Sequence, residues 1–369
     1  MIVIADDITG AAEIAGIAFT HGQQVRLLCG CPASCDGVAA NETIVIATDT
    51  RSMTAAEAAA EVCRLSPVPR PSRFFKKTDS ALRGHVVAEL SALMEALRCH
   101  RAVYLPANPS KGRIIRNGTY FIQEVTAAGG AVRPIADTAF SYDPEFPAKT
   151  SVLKERFPDA EAKGILMPDA ENEADIRSVL ATYDDGDTLF AGAADLFTAM
   201  IEESGEQPLA AHPSPFTTEH TLILCGSTQS KPLDLGIPVA PMPREVYDGE
   251  RGAAEWFETL SSSILLQSSS LILTIPHQHR TGKAVAVRLR NVMAEMTRRI
   301  VALRRPDHLV IEGGATAWAA LQAVGWSRFD IVQQIAPGVV RMRTESGTLV
   351  TLKPGSYPWG AMFSPSANR

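Results

Sequence analysis

The chain has 369 residues, of which 46% are hydrophobic, enough for a large core and more than one domain. Its net charge of -6 argues against a nucleic-acid binder that works by bulk electrostatics. No uninterrupted apolar run is long enough to span a bilayer, so no membrane partner is expected.

The first stretch, Ile2–Glu13 (IVIADDITGAAE), organises the rest. Ile2 to Ala5 reads as a short buried strand, and two carboxylates, Asp6 and Asp7, follow at once. Thr9 is the expected cap of a helix over about Gly10–Phe19. Ligands of open α/β sheets bind beyond the carboxyl ends of the strands. An acidic pair at such an end is costly unless it binds something. The alternative is a purely structural role at the positive end of the helix, for which one Asp would suffice.

Further strands are expected at Gln24–Leu28 and Thr43–Ala47, the latter delivering Asp49, Thr50, Arg51 and Ser52. Thr54 and Glu57 form a capping box for an alanine-rich helix to about Leu65, which Pro67–Pro71 stops. Arg73–Phe75 reads as a strand ending in KKTDSALRG, Lys76–Gly84. The next helix carries Leu90, Leu93, Met94 and Leu97 on one face. Ala102–Leu105 is a strand that ends in PANPSKGR, Pro106–Arg113. Gly118–Lys149 reads as an irregular loop over the site, followed by strand–helix units near Gly164–Thr182 and Thr188–Ile201. Glu203–Pro215 reads as a linker, dividing the chain into domains 1–210 and 211–369.

The strand pattern restarts at Thr221–Leu224, followed by CGSTQSK, and continues at Leu271–Ile275 and His308–Ile311. A helix is expected over Gly282–Leu303. EGGATAWAAL, Glu312–Leu321, follows the third of these strands, and two extended segments flank Pro337–Gly338. Alternating strands and helices predict an α/β fold of two domains, each with a mostly parallel sheet flanked by helices, and an active site in the interdomain cleft. The cysteines Cys29, Cys31, Cys35, Cys63, Cys99 and Cys225 complete no zinc spacing. They read as thiols of a reducing compartment, and with no signal peptide visible a cytoplasmic location is expected.

The first domain gathers Asp6, Asp7, Asp49, Arg51, Lys76, Lys77, Asp79, Arg83, Lys111 and Arg113 at strand ends. Carboxylates accept hydroxyl protons and arginines capture carboxylates, which suits a hydroxylated, acidic small molecule. The second domain gathers glycine turns at Gly226-Ser227, Gly313-Gly314, Gly338 and Gly355. Glycine admits backbone N–H groups close to phosphate, and a helix starting at Ala315–Thr316 would aim its positive end at the anion, with Lys353 as a phosphate partner. No P-loop or G-x-G-x-x-G fingerprint is present. Together the two sites suggest a kinase.

These motifs carry a resemblance. ADDITGA at Ala5–Ala11, KKTDSALRG at Lys76–Gly84, GGATA at Gly313–Ala317, APG at Ala336–Gly338 and LKPGSYPWG at Leu352–Gly360 resemble the four-carbon acid sugar kinase family, long called domain of unknown function 1537. The resemblance implies ATP- and Mg²⁺-dependent phosphorylation of a terminal hydroxyl of threonate, erythronate or a 3-oxo-tetronate. It implies an N-terminal sugar-acid domain and a C-terminal nucleotide domain. Carried over by motif, Asp7, then Asp6, is the general base. Asp79, Ser80 and Arg83 bind substrate; Gly314, Thr316, Gly338, Lys353 and Gly355 bind nucleotide. Ala315 stands where the family commonly has an acidic residue, which motivates the alternative of a non-catalytic or altered-specificity sugar-acid-binding homologue. The sequence leaves the metal ligands, the particular sugar acid and the oligomeric state open, a homodimer among the states it allows.

Overall fold

The computed structural model describes residues 1–30, 42–64, 73–124, 131–143, 145–203, 216–227, 232–275, 282–355, 357–360 and 362–363. Cys31, Cys35, the Pro67–Pro71 stop, most of the expected linker (204–215) and residues 228–231 of the GSTQSK turn lie outside the described residues. The chain divides into two compact units, Met1–Leu209 and Ala210–Arg369.

In the first unit, β1 (Ile2–Ala5) leads into α1 (Ile8–Thr20), followed by β2 (Gln24–Cys29), β3 (Glu42–Ala47), α2 (Ala55–Cys63), β4 (Phe74–Lys77), α3 (Val86–Leu97) and β5 (Arg101–Leu105). A small antiparallel sheet of β6 (Arg113–Arg116), β7 (Thr119–Glu124) and β8 (Ala131–Pro134) follows. After α4 (Leu153–Arg156) come β9 (Ile165–Leu166), α5 (Glu173–Tyr183), β10 (Thr188–Gly192) and α6 (Ala194–Glu202). The main strands lie in the order β2-β3-β1-β4-β10-β5-β9, every pair parallel. β1 is buried at every position, as a central strand covered on both faces must be. From β1 the chain crosses to the β3 side; from β4 it crosses the other way. The crevice between the ends of β1 and β4 is therefore the topological switch point, where open α/β sheets bind their ligands.

In the second unit the order of elements is β11 (Thr221–Cys225), β12 (Val239–Pro241), α7 (Arg244–Asp248), α8 (Ala253–Ser261), α9 (Ile264–Gln267), β13 (Leu271–Thr274), α10 (Lys283–Leu303), β14 (His308–Glu312), α11 (Gly314–Val324), β15 (Arg328–Ala336), β16 (Val339–Thr344) and β17 (Leu349–Lys353). β12-β13-β11-β14-β17 are parallel neighbours, and β16 and β15 continue the sheet antiparallel. The switch point of this sheet falls between β11 and β14, the two strands that Gly226 and Gly313 follow.

Three expectations need correction. Thr9 does not cap α1: Asp7 does, its carboxylate accepting from Gly10 N at 2.9 Å, and the Thr9 hydroxyl donates to the same carboxylate. Gly118–Lys149 is not all irregular, because Asn117 and Gly118 both have positive φ (50° and 69°), the type I′ requirement that closes a tight hairpin. The Thr54–Glu57 capping box forms. Lys76 and Lys77 belong to β4 and are buried, instead of lying in the loop after it.

One feature of the second core titrates. His308 is buried at the start of β14, 2.8 Å from the Thr351 hydroxyl and against the Phe216 ring. Burial, aided by the positive charge of Arg341, lowers its pKa from 6.5 to about 3. The folded chain keeps the ring neutral where the unfolded chain takes up a proton, so acid favours unfolding. This contribution is complete above pH 6.5 and is lost as pH falls toward 3. Denaturant titrations from pH 7 to 4 are expected to show a stability slope that His308→Leu reduces by about one proton, a tenfold change in the unfolding equilibrium per pH unit.

Candidate active site

At the end of β1 three acidic side chains converge on one guanidinium. Arg51 donates from Nε and Nη2 to the two oxygens of Asp6, at 3.1 and 2.9 Å. The same Nη2 is 3.2 Å from Asp7 Oδ1 and 3.8 Å from Asp79 Oδ1. The sequence neighbours of these residues explain the meeting. Ala5 pairs with Ala47 of β3 and with Lys77 of β4, so residues 6–7, 48–51 and 78–79 leave the sheet side by side. The loops then bend sharply: Asp49 and Leu82 both occupy the left-handed region, at φ 53° and 62°, a conformation uncommon for non-glycine residues and enriched at functional sites. Gly84 (φ 96°) closes the KKTDSALRG loop, and a Cβ there would lie 3.1 Å from Asp6 Oδ2, so the last residue of that motif rests against the first motif.

The electrostatics separate the carboxylates. Burial pushes Asp6 up and outweighs the pull of Arg51, leaving its pKa above the ordinary value. Burial also acts on Asp7, but Arg51, the Thr9 hydroxyl, Lys77 and the Gly10 N–H outweigh it and hold its pKa below the ordinary value. Asp79 is driven well below the carboxylate range against its burial, by Arg51 and Arg83. The Asp7 side chain keeps 17% exposure where Asp6 keeps 3%, so Asp7 has the carboxylate edge that a small molecule can reach.

The substrate-side residues are brought together, with one change of role. Arg83 donates from Nε and Nη2 to Asp79 at 2.8 and 2.9 Å, and its Nη1 is 3.8 Å from Asp143. Its fork is engaged by a carboxylate of the protein, as is that of Arg51. Bidentate capture of a substrate carboxylate by either arginine therefore requires displacing Asp79 or Asp6, which the sequence reading did not foresee. Ser80 is held at both ends: its hydroxyl accepts from Arg113 and its carbonyl from the Tyr120 hydroxyl. Lys111 binds Glu13, whose other oxygen is 3.5 Å from Lys77 Nζ. Arg156 donates to the carbonyl of the strained Leu82 at 2.9 Å. Glu13 and Glu89 were missed by the sequence reading. The available signal was a carboxylate on the buried stripe of an apolar helix, Glu89 falling beside Val86, Leu90 and Leu93. A cavity of about 510 Å³ bordered by Arg73, Phe74 and Thr188 lies at the opposite, amino-terminal ends of the strands and contains none of these groups.

The second unit builds a different surface at its switch point. A Cβ on Gly226 would lie 2.1 Å from Thr316 Oγ1, and one on Gly355 2.7 Å from Ser227 Oγ. Gly313 (φ 99°) stacks on the Gly226–Ser227 backbone, with a Cβ position 3.8 Å from Ser227 N. The loops after β11, β14 and β17 thus meet at backbone distance around the start of α11. That helix begins with no side-chain cap and no acidic residue in its first turn, and Ala315 is exposed. Its first N–H groups and positive dipole end suit an anion. Gly338 (φ 73°) makes the β15–β16 turn and touches Tyr357. Lys353 ends β17. Its ammonium is buried, 2.7 Å from Glu312, and donates to the carbonyls of Pro354, Gly355 and Tyr357 at 2.9, 3.2 and 2.6 Å. In this arrangement Lys353 braces the terminal turn.

Residues 1–158 match a family model described as a sugar-binding N-terminal domain, and residues 251–357 one described as a nucleotide-binding C-terminal domain. The chain is 27% identical to a Brucella melitensis protein named 3-oxo-tetronate kinase, over 98% of this chain and 93% of that one. It is 25% identical to a Salmonella typhimurium protein named D-threonate kinase, over 91% and 89%. A crystal structure of a Haemophilus influenzae protein of the DUF1537 family shares the fold, with a TM-score of 0.69, 21% identity and 98% coverage of both chains. With both family models and full-length relatives matched in the same order, the chain belongs to the DUF1537 family, the four-carbon acid sugar kinases.

Proposed function

We propose that the protein is an ATP-dependent kinase that phosphorylates the terminal hydroxyl of a four-carbon acid sugar such as threonate, erythronate or a 3-oxo-tetronate. The observation that carries the reading is the Asp6–Asp7–Arg51 cluster at the switch point of the unit that matches the sugar-binding family model. The relatives named as tetronate kinases supply the substrate class.

Asp7 accepts the hydrogen bond of the attacking hydroxyl. Its pKa is low, so it is ionised at neutral pH and a weak base. That suits phosphoryl transfer, whose loose transition state asks chiefly for a positioned hydroxyl and takes the proton late. Thr9 and Gly10 hold the carboxylate in place while it does so. Arg51, Arg83 and Lys111 place positive charge around the acid group of the sugar, with Asp79 and Ser80 as partners for its hydroxyls. The glycines of the second unit suit a nucleotide phosphate: Gly226 and Gly355 let the loops pack against Thr316 and Ser227 at backbone distance, beside the start of α11, which has no side-chain cap. Among the described residues no group of three or more metal-ligating side chains occurs. Mg²⁺ would arrive on the nucleotide, held mostly by phosphate and water, with Asp7 as the reachable carboxylate. When bound, Mg²⁺ supplies neutralisation of phosphate charge.

The test is an ADP-release assay with ATP and a panel of four-carbon sugar acids. Turnover with at least one acid is expected. No turnover with any, in a protein that still binds a sugar acid, would favour the non-catalytic homologue that Ala315 suggests. In the same assay Asp7→Asn, which keeps the size and much of the capping ability, is expected to lower kcat by roughly 100-fold or more. Asp6→Asn as the dead variant beside an active Asp7→Asn would exchange the two roles. On the nucleotide side, Gly226→Ala forces Thr316 and the start of α11 to move. We expect the affinity for a non-hydrolysable ATP analogue to fall at least about 10-fold, roughly 1.4 kcal/mol, with the sugar-acid KM nearly unchanged. Calorimetric titration of both ligands distinguishes this from general unfolding, which would weaken both.

A further inference from the structure

Beneath the acidic pair runs a chain of buried polar groups that the proposed chemistry does not use. The Thr48 hydroxyl lies 2.9 Å from the Ala5 carbonyl, at the end of β1, and 3.0 Å from the Thr50 hydroxyl. Thr50 donates to Glu89 Oε2 at 2.9 Å, and the Lys76 ammonium is 2.6 Å from the same oxygen. Thr48, Thr50, Lys76 and Glu89 are all buried, with the side chains of Lys76 and Glu89 only 1% and 2% exposed. Neither charge can be there for solubility, and an isolated buried ion pair is weak evidence for stability. Its location suggests another use. Thr50 opens the short 3₁₀ turn Thr50–Ser52, which carries Arg51, directly after Asp49 in its left-handed conformation. The Arg51 N–H donates to the Asp6 carbonyl at 3.2 Å, and Arg51's guanidinium holds the carboxylates.

We infer that Lys76, Glu89 and Thr50 form a positioning clamp that fixes the turn bearing Arg51, and through Arg51 the orientation of Asp6 and Asp7. Lys76 anchors the clamp in β4, Glu89 in α3, and Thr48 ties it to the end of β1. These elements flank the switch crevice from both sides. A charged anchor serves better than an apolar one here, because a carboxylate accepts the Thr50 hydroxyl in one direction and a strong, charge-assisted bond resists rotation of the turn. Lys76 pairs with that carboxylate within the core. Deleting either charge alone would leave the other buried and unpaired, so the single variants Glu89→Gln and Lys76→Met test folding more than positioning. Thr50→Val is the sharper probe: it removes one hydroxyl at nearly constant shape and leaves the ion pair intact.

The inference rests on the acid-sugar kinase reading for its catalytic arm, so the experiment has a second arm that does not. Hydrogen exchange of the whole protein, read on peptides covering residues 49–53, reports how firmly the turn is held. Thr50→Val is expected to speed that exchange about 10-fold or more, to lower kcat about 10-fold, and to leave the ATP KM within about twofold. Thr50→Ser, which restores the donor, is expected to recover most of both effects. The double variant Lys76→Met/Glu89→Leu, which removes the pair without orphaning a charge, is expected to fold and to show the same faster exchange and lowered kcat. Wild-type exchange in Thr50→Val, or faster exchange with unchanged kcat, would overturn the clamp. Asp7→Asn assayed alongside separates the two ideas: wild-type turnover there removes the base assignment, while the exchange arm still decides the clamp.

Discussion

Arg51 is the charge on which the first unit's site depends. Three carboxylates leave the sheet within a few ångströms of one another, and without a cation among them like-charge repulsion would force at least one to take up a proton. Arg51 answers all three, bidentate to Asp6 and at 3.2 and 3.8 Å from Asp7 and Asp79, and its own pKa rises well above the ordinary value in return. A lysine would neutralise the same charge from one point; the planar guanidinium orients the carboxylates as well. The result is a set of carboxylates in one crevice with different properties. Asp6 is raised and enclosed, Asp7 is lowered and reachable, and Asp79 is lowered and bound to Arg83. That spread, set by burial and by distance from Arg51, would allow Asp7 to address the attacking hydroxyl while Asp6 holds the frame.

The two units solve the same topological problem with opposite chemistry. Each has a parallel sheet whose chain reverses direction beside its first strand, β1 beside β4 in one and β11 beside β14 in the other. At the first reversal the loops carry charge, and the crevice is polar side chain. At the second they carry glycine, and the crevice is backbone. Carboxylates and guanidinia recognise a small hydroxylated acid, whose groups point in many directions. Backbone N–H groups and a helix start recognise phosphate, which is compact and anionic and tolerates any side chain that stays out of its way. Ala315 fits this account, since an exposed alanine at the start of α11 leaves the backbone donors in place.

Buried ion pairs brace both sites from behind. Lys76–Glu89 lies under the acidic crevice, and Lys353–Glu312 under the glycine one, where the lysine also gathers three carbonyls of the terminal turn and faces the Trp359 ring. Lys76 and Lys353 both lie within their strands, β4 and β17, and both are buried.

The local sequence determined whatever depends on near neighbours along the chain. Ile2–Ala5 as a buried strand, the Thr54–Glu57 capping box, the apolar face of α3 and the alternation that makes mostly parallel sheets follow from periodicity and capping, which act over a few residues. The Asn117–Gly118 hairpin belonged to the same class and was legible, although the irregular composition after it concealed it. The motif residues were legible as chemistry but not as partnerships. Only the tertiary structure decided that Arg51 spans residues 6, 7 and 79, that Lys353 faces Glu312, and that Glu89 meets Thr50 and Lys76. The physical reason is strand order. A sequence states which residues end a strand, but which strand ends lie side by side depends on crossovers spanning tens of residues, and charges pair across those crossovers by distance alone.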